Sequence, residues 1–209
     1  MWSIISPLGT PLAISLILSI VITLIQVIVS VLAAYGLVRY RNKVSTIVFA
    51  GYVLLALLPV QVTIVPNYLI TGWLGIRGGY WSVILPAAFA TFGTFLLYQF
   101  IAAIPSQVLE AAETDGAGPM GVLRHIVFPL IRNGIALTAF MCFVDNWNAV
   151  ELPQVLLDQP GMMPLAVVLG SGESDHVIVD LVVFAVPPLA LFLAGHRLIE
   201  QGLAEVSIQ

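Results

Sequence analysis

Residues 110–121, EAAETDGAGPMG, contain Gly116-Ala-Gly118-Pro-Met-Gly121, a G-x-G-x-x-G spacing. Such glycines can cradle a dinucleotide when a strand precedes them and a helix follows in a βαβ unit. That context is missing here. The preceding residues, Pro105-Ser-Gln-Val-Leu-Glu-Ala-Ala-Glu-Thr, favour helix, and Ser106 is placed to cap it. Pro119 falls inside the supposed loop. The pattern predicts helix, break, helix. A first helix runs from about Ser106 to Thr114 and stops at Gly116, which can take φ > 0. A second runs from Pro119 to about Ile126, with proline in its first turn. On spacing alone this elbow is either a grip for a partner or a solvated connector.

The other groups with chemical potential are few. Asp145, Asn146, Trp147 and Asn148 set a carboxylate and two amides beside an aromatic ring. That set suits hydrogen bonding to a sugar over an aromatic platform, and equally an interfacial tryptophan at a capped helix end. Gln26 and Gln61 are polar positions in apolar runs, consistent with a solute path or with interhelical hydrogen bonds. His125, His176 and His196 fall in separate segments and form no metal site or catalytic group. The single Cys142 allows no disulfide within the chain and no cysteine-based metal site, and it suits a small buried hydrophobe. No Ser/His/Asp set or carboxylate pair has usable spacing.

The elements that must position these groups are apolar. Of the 209 residues, 60% are hydrophobic and 9% charged. A soluble domain carries about 25% charged residues, so most of this surface is built for lipid. A bilayer core of about 30 Å needs roughly 20 apolar residues as a helix. Five segments qualify, at about 12–38, 44–65, 81–104, 126–144 and 177–194. The last contains Pro187 and Pro188, tolerable where a neighbouring helix satisfies the carbonyls that proline frees. With an external start, Arg39, Arg41, Lys43, Arg124, Arg132 and Arg197 all fall on the cytoplasmic side and Arg77 alone falls outside. The elbow and the C-terminus are then cytoplasmic. The stretch from Asp145 to Asp180 is largely external and acidic (with Glu151, Asp158, Glu173 and Asp175) and contains no Lys or Arg. Within it, residues 158–175 could meet a docked protein or form an ordinary solvated loop. The start has no basic region of a secretory signal. An external first end without a signal suggests a preceding helix that this sequence lacks. No basic tract suggests nucleic acid.

The segment EAAETDGAGPMGVLRHIVFPLI closely resembles the E-A-A-x-x-D-G-A…I-x-L-P loop of binding-protein-dependent ABC importer permeases. The match includes Glu110, Ala111, Ala112, Asp115, Gly116, Ala117, Ile126 and Pro129, with Phe128 in place of Leu and Asn133 where many members have Pro. AAYGLVRYR (33–41), VPNYLITGWLGIRGGYWSVILP (65–86), FVDNWNAVELPQVLL (143–157) and HRLIEQGLAEVSIQ (196–209) resemble further segments of the carbohydrate importers, of the maltose or glycerol-phosphate type. The last lacks the family's closing Gly and Lys. The resemblance implies an all-α, polytopic permease domain over 1–209, corresponding to the last five of six usual helices, with a coupling loop at about 105–126. It implies residence in a bacterial or archaeal cytoplasmic membrane. It further implies pairing with a second, non-identical permease, an external binding protein, and separate ATPase subunits that hold ATP and Mg. Glu110, Ala111, Ala112, Asp115, Gly116, Ala117 and Pro129 would be the ATPase-coupling residues. Asp145, Asn146, Trp147 and Asn148 would face the solute path. The chain has no P-loop and is expected to hydrolyse nothing itself. An ion-coupled secondary transporter is the other reading. It would call for inverted repeats and charged groups within the spans, and the spans are nearly free of charge.

Overall fold

The computed structural model describes residues 8–40, 42–172 and 177–207. Among these residues the regular structure is helical, with one isolated backbone bridge between Gly78 and Leu157. Helix α1 spans Gly9–Arg39, α2 Lys43–Ala56, α3 Val60–Trp73, α4 Trp81–Ala88 and α5 Thr91–Ala102. Helix α6 spans Ser106–Thr114 and α7 Pro119–Val122; a π turn, Leu123–Val127, joins α7 to α8, Phe128–Leu130. Then come α9 (Arg132–Trp147), α10 (Glu151–Leu156), a 3₁₀ turn (Pro160–Met162), α11 (Leu165–Gly170) and α12 (Val177–Ser207).

Helix α1 turns a row of small polar side chains inward, beside buried Leu18, Ile22 and Val31. It buries Ser15, Ser19, Thr23, Gln26 and Ser30, while Ile17, Ile20, Leu24, Ile28 and Leu32 are exposed. The buried set recurs at steps of three or four residues and so forms one face. Small and hydroxyl side chains let neighbouring backbones approach in lipid. Thr94 Oγ1 in α5 donates to Ser30 Oγ at 3.3 Å. A Cβ on Gly93 would lie 2.7 Å from that same oxygen, so a larger residue there would push Ser30 away.

Three helical segments are long and apolar enough to cross a membrane, at Gly9–Arg39, Trp81–Ala102 and Ile178–Gly202. Counting each of two bent pairs as one span brings the number to five. The pair Lys43–Ala56 and Val60–Trp73 turns by 104°. The expected straight span at 44–65 is thus two helices, broken before Pro59, which takes an extended ψ of 144°. The pair Pro119–Leu130 and Arg132–Trp147 turns by 79°. The fourth span, counted as this pair, is bent at Ile131, and residues 126–130 lie before the bend on the side of the elbow. The fifth continues as helix to Ser207, well past residue 194.

Helix α12 passes through Pro187 and Pro188 without a break. Pro188 has no N–H for the carbonyl of Phe184, one turn earlier. Trp147 supplies the missing donor from α9, its Nε1–H donating to Phe184 O at 3.1 Å. Its ring is buried between Phe143 and Phe184, with centroids 5.8 and 5.3 Å away. Deleting this N–H with Trp147→Phe should cost about 1 kcal/mol, read as a lower thermal midpoint in detergent. Adding Pro188→Ala, which gives Phe184 O a partner within its own helix, should recover most of the loss. Equal and additive losses would contradict the pairing.

Candidate functional site

The elbow rests on one apolar cluster. Ala112, Val122, Leu123, Val127 and Ile131 are buried with Val31, Ala34 and Tyr35 of α1, Leu97, Phe100 and Ile101 of α5, and Ile199 of α12. Arg39, Lys43, Arg124, Arg132 and Arg197 lie on the segments around this end. Arg41 lies outside the described residues.

Helix α6 ends as the glycine pattern predicts. Gly116 has φ +86°, in the left-handed region. The Ala117 N–H reaches back to Ala112 O at 3.0 Å, and the Asp115 N–H to Ala111 O at 3.0 Å. The five-residue reach, closed by a left-handed glycine, is the Schellman arrangement. Ala112 and Ala117 both pack on the cluster, so they foot the turn and do not form an outer contact face. A Cβ on Gly116 would meet nothing within 4 Å, so its constraint is backbone conformation rather than crowding. Gly118 takes φ −67° and is equally open, and Gly121 is helical. The G-x-G-x-x-G spacing therefore reduces to one demanding glycine.

Glu110, Ala111, Asp115 and Pro119 are exposed on the elbow, as are Val108 and Met120. Beyond Pro119 the chain passes through the π turn, where the Phe128 N–H bonds Leu123 O, five residues back. Pro129 follows, exposed and without a donor of its own. The direction changes at Ile131. The elbow is tied to α1 by Tyr35, whose Oη–H donates to Pro119 O at 3.0 Å. Arg39 Nη1 donates to the same Tyr35 oxygen at 3.0 Å. Tyr35 was not among the residues that the elbow's motif singled out.

At the far end of the bundle, the four residues at the end of α9 do not share one surface. Asp145 and Asn148 are exposed, and Asn148 Nδ2 donates to Val144 O at 2.7 Å. Asn146 turns inward: its Nδ2 donates to Cys142 O at 2.8 Å, Gln26 Oε1 at 3.2 Å and Thr23 Oγ1 at 3.4 Å. Gln26 is 2% exposed, so it serves an interhelical bond. Trp147 is 1% exposed and offers no free ring face. Gln61 donates from Nε2 to Glu151 Oε1, joining α3 to α10. Arg77 lies 4.6 Å from the Tyr68 ring centre, and with Trp73 and Asp158 they line a cleft of about 440 Å³. Glu173, Asp175 and His176 lie outside the described residues. His125 and His196 each contact a nearby backbone carbonyl, of Gly121 and Leu193. Among the described residues no three His, Cys, Asp or Glu side chains gather as a metal site.

The sequence model of the family described as the binding-protein-dependent transport system inner membrane component matches residues 26–203. The chain belongs to this family. It is a multi-pass component of the inner membrane. Over 184 residues it is 29% identical to the sn-glycerol-3-phosphate transport system permease protein UgpE of Rhizobium meliloti, covering 84% of this chain and 65% of the relative. The same protein of Yersinia enterocolitica is 30% identical over 185 residues, covering 84% and 66%. The chain thus spans a little under two thirds of the length of these relatives. Among solved structures, its fold is shared with a bacterial ABC transporter involved in the import of the acidic polysaccharide alginate. The TM-score is 0.76 at 20% identity, covering 90% of this chain and 73% of that one. A bacterial alginate ABC transporter in complex with an alginate pentasaccharide-bound periplasmic protein gives a TM-score of 0.66 at 17% identity, covering 91% and 78%.

Within this family member the elbow makes unequal demands on its glycines. Gly116→Val should fray the end of α6 by forcing a β-branched residue toward a left-handed φ, at roughly 1–2 kcal/mol locally. Faster amide exchange at Ala117, with the bundle's thermal midpoint unchanged, is the expected sign. Gly118→Val should exchange like the parent.

Proposed function

We propose that this chain is a permease subunit of an ATP-driven importer. It would form, with a second and non-identical permease, the path for a carbohydrate or related solute delivered by an external binding protein. The observation that carries the reading is the elbow: a polar, exposed helix pair fixed on a buried apolar footing at one end of the bundle. A subunit moved by another protein needs such a rigid grip, because a soft connector would absorb the motion. Membership in a binding-protein-dependent family supports it, as do relatives named for sn-glycerol-3-phosphate transport.

Each coupling residue then has a physical task. Glu110 presents a carboxylate to a basic residue of the ATPase, and Asp115 is a second anion on the same elbow. Charges at a docking surface fix register and speed encounter more than they add affinity. Ala111 leaves room for close approach. Gly116 shapes the turn that Ala112 and Ala117 seat on the cluster. Pro129 and the π turn set the angle between elbow and span. ATP and Mg would be held by the ATPase, and their closure would draw two elbows together. Shifting the bundle between inward- and outward-facing states requires contacts that differ between those states. The cations grouped at the elbow end support a cytoplasmic elbow and C-terminus, with the start of the chain outside. At the external end, Asp145 and Asn148 are the members of their group exposed enough to meet a solute, and residues 158–175 would meet the binding protein.

The test is co-purification of the tagged chain, expressed with its candidate ATPase and partner permease. The parent should retain the ATPase. Glu110→Arg and Gly116→Val should each lower retention at least tenfold while leaving the chain in the membrane. Undiminished retention in both variants would move the contact away from residues 110–121.

A further inference from the structure

We propose that α1 is a strut tying the elbow to the opposite end of the bundle, with Tyr35 and Ser15 as its two positioning residues. The inference rests on reading the elbow as the ATPase-coupling element. At one end, the Tyr35 hydroxyl holds the Pro119 carbonyl at 3.0 Å, and Pro119 opens α7 just beyond the Gly116 turn. Arg39 braces the same hydroxyl from one turn further along α1. At the other end, Ser15 Oγ accepts the Leu165 N–H at 2.7 Å. Leu165 is the first residue of α11, so this N–H has no acceptor within its own helix. Both partners there are buried, with Ser15 2% and Leu165 0% exposed.

The two contacts are twenty residues apart on one helix, about 30 Å along its axis. Between them α1 has neither break nor proline, the nearest being Pro11 in its first turn. Midway, Thr23 and Gln26 accept from Asn146 and seat the helix on α9. An intact helix has no internal joint to take up an axial displacement. A shift of Pro119 under a docked ATPase therefore reaches Leu165 as a movement of α1. A load on residues 160–170 is returned to the elbow by the same route, because coupling between two sites is reciprocal.

The test uses the complex of this chain with its partner permease and ATPase in lipid nanodiscs, and the probe is ATP with vanadate. Amide exchange is followed over residues 160–170, at the far end from the ATPase. In the parent, trapping should change exchange of this segment at least fivefold. In Tyr35→Phe, which keeps the buried ring and loses only the hydroxyl, ATPase retention and basal hydrolysis should stay at the parent level while the remote response disappears. Ser15→Ala should raise exchange at Leu165 in every state and abolish the response as well. The double variant should respond no differently from either single, since two links in series fail together. An unchanged segment in the trapped parent, or a parent-sized response in Tyr35→Phe, overturns the strut. Loss of the ATPase from Tyr35→Phe also overturns it, by showing that the bond only builds the docking face. A parent that retains no ATPase fails the elbow reading itself, and the strut with it.

Discussion

Hydrogen bonds and close contacts along the inner face of α1 are what the rest of the bundle depends on. Lipid tails are as apolar as leucine, so nothing is gained by hiding a leucine between two helices in the membrane. The chain therefore leaves Ile17, Ile20, Leu24, Ile28 and Leu32 of α1 outside and turns Ser15, Ser19, Thr23, Gln26 and Ser30 inward beside Leu18, Ile22 and Val31. Each interhelical hydrogen bond in such a setting contributes about 0.6 kcal/mol and seldom more than about 1.7. No single bond holds the fold. The face acts as a row, meeting α5 at Ser30, α9 at Thr23 and Gln26, and α11 at Ser15.

Different physics governs the elbow. It lies at the end of the bundle among polar and charged side chains, and its footing is apolar burial. A fully buried aliphatic side chain is worth about 1.5–3 kcal/mol there, and Val122, Val127 and Ile131 are all nearly inaccessible. This footing leaves the polar face of α6 free while fixing its position. The turn at Gly116 adds direction.

Much of this was legible from residue types. Sparse charge and five apolar runs gave the number of spans, and Gly116 with Pro119 gave helix, break, helix. The bends were not legible. Leu57 and Leu58 are as apolar as their neighbours, so hydropathy runs straight through a 104° turn that Pro59 alone announces. The turn at Ile131 hides in the same way, inside a continuous apolar stretch. The end of α9 was legible as a polar cluster but not as four different environments. Side-chain direction there follows from which helices pack on which face, and one sequence segment does not contain that information. Tyr35 was missed because its partner is a backbone carbonyl 84 positions away.

The indole of Trp147 and the carbonyl released by Pro188 have a consequence for how α9 and α12 find their alignment. Carbonyls in a regular helix interior are otherwise taken by the amide one turn on, except where another proline, such as Pro187 for Val183, removes it. A slide of α12 by one turn would bring the indole against an oxygen with a partner of its own and leave the released one bare. The proline thus serves as an index mark, a notch cut into an otherwise uniform rod, and the tryptophan is the tooth that finds it. Two positions far apart in the chain are thereby bound to a common history: whichever drifts first leaves the other without its reason.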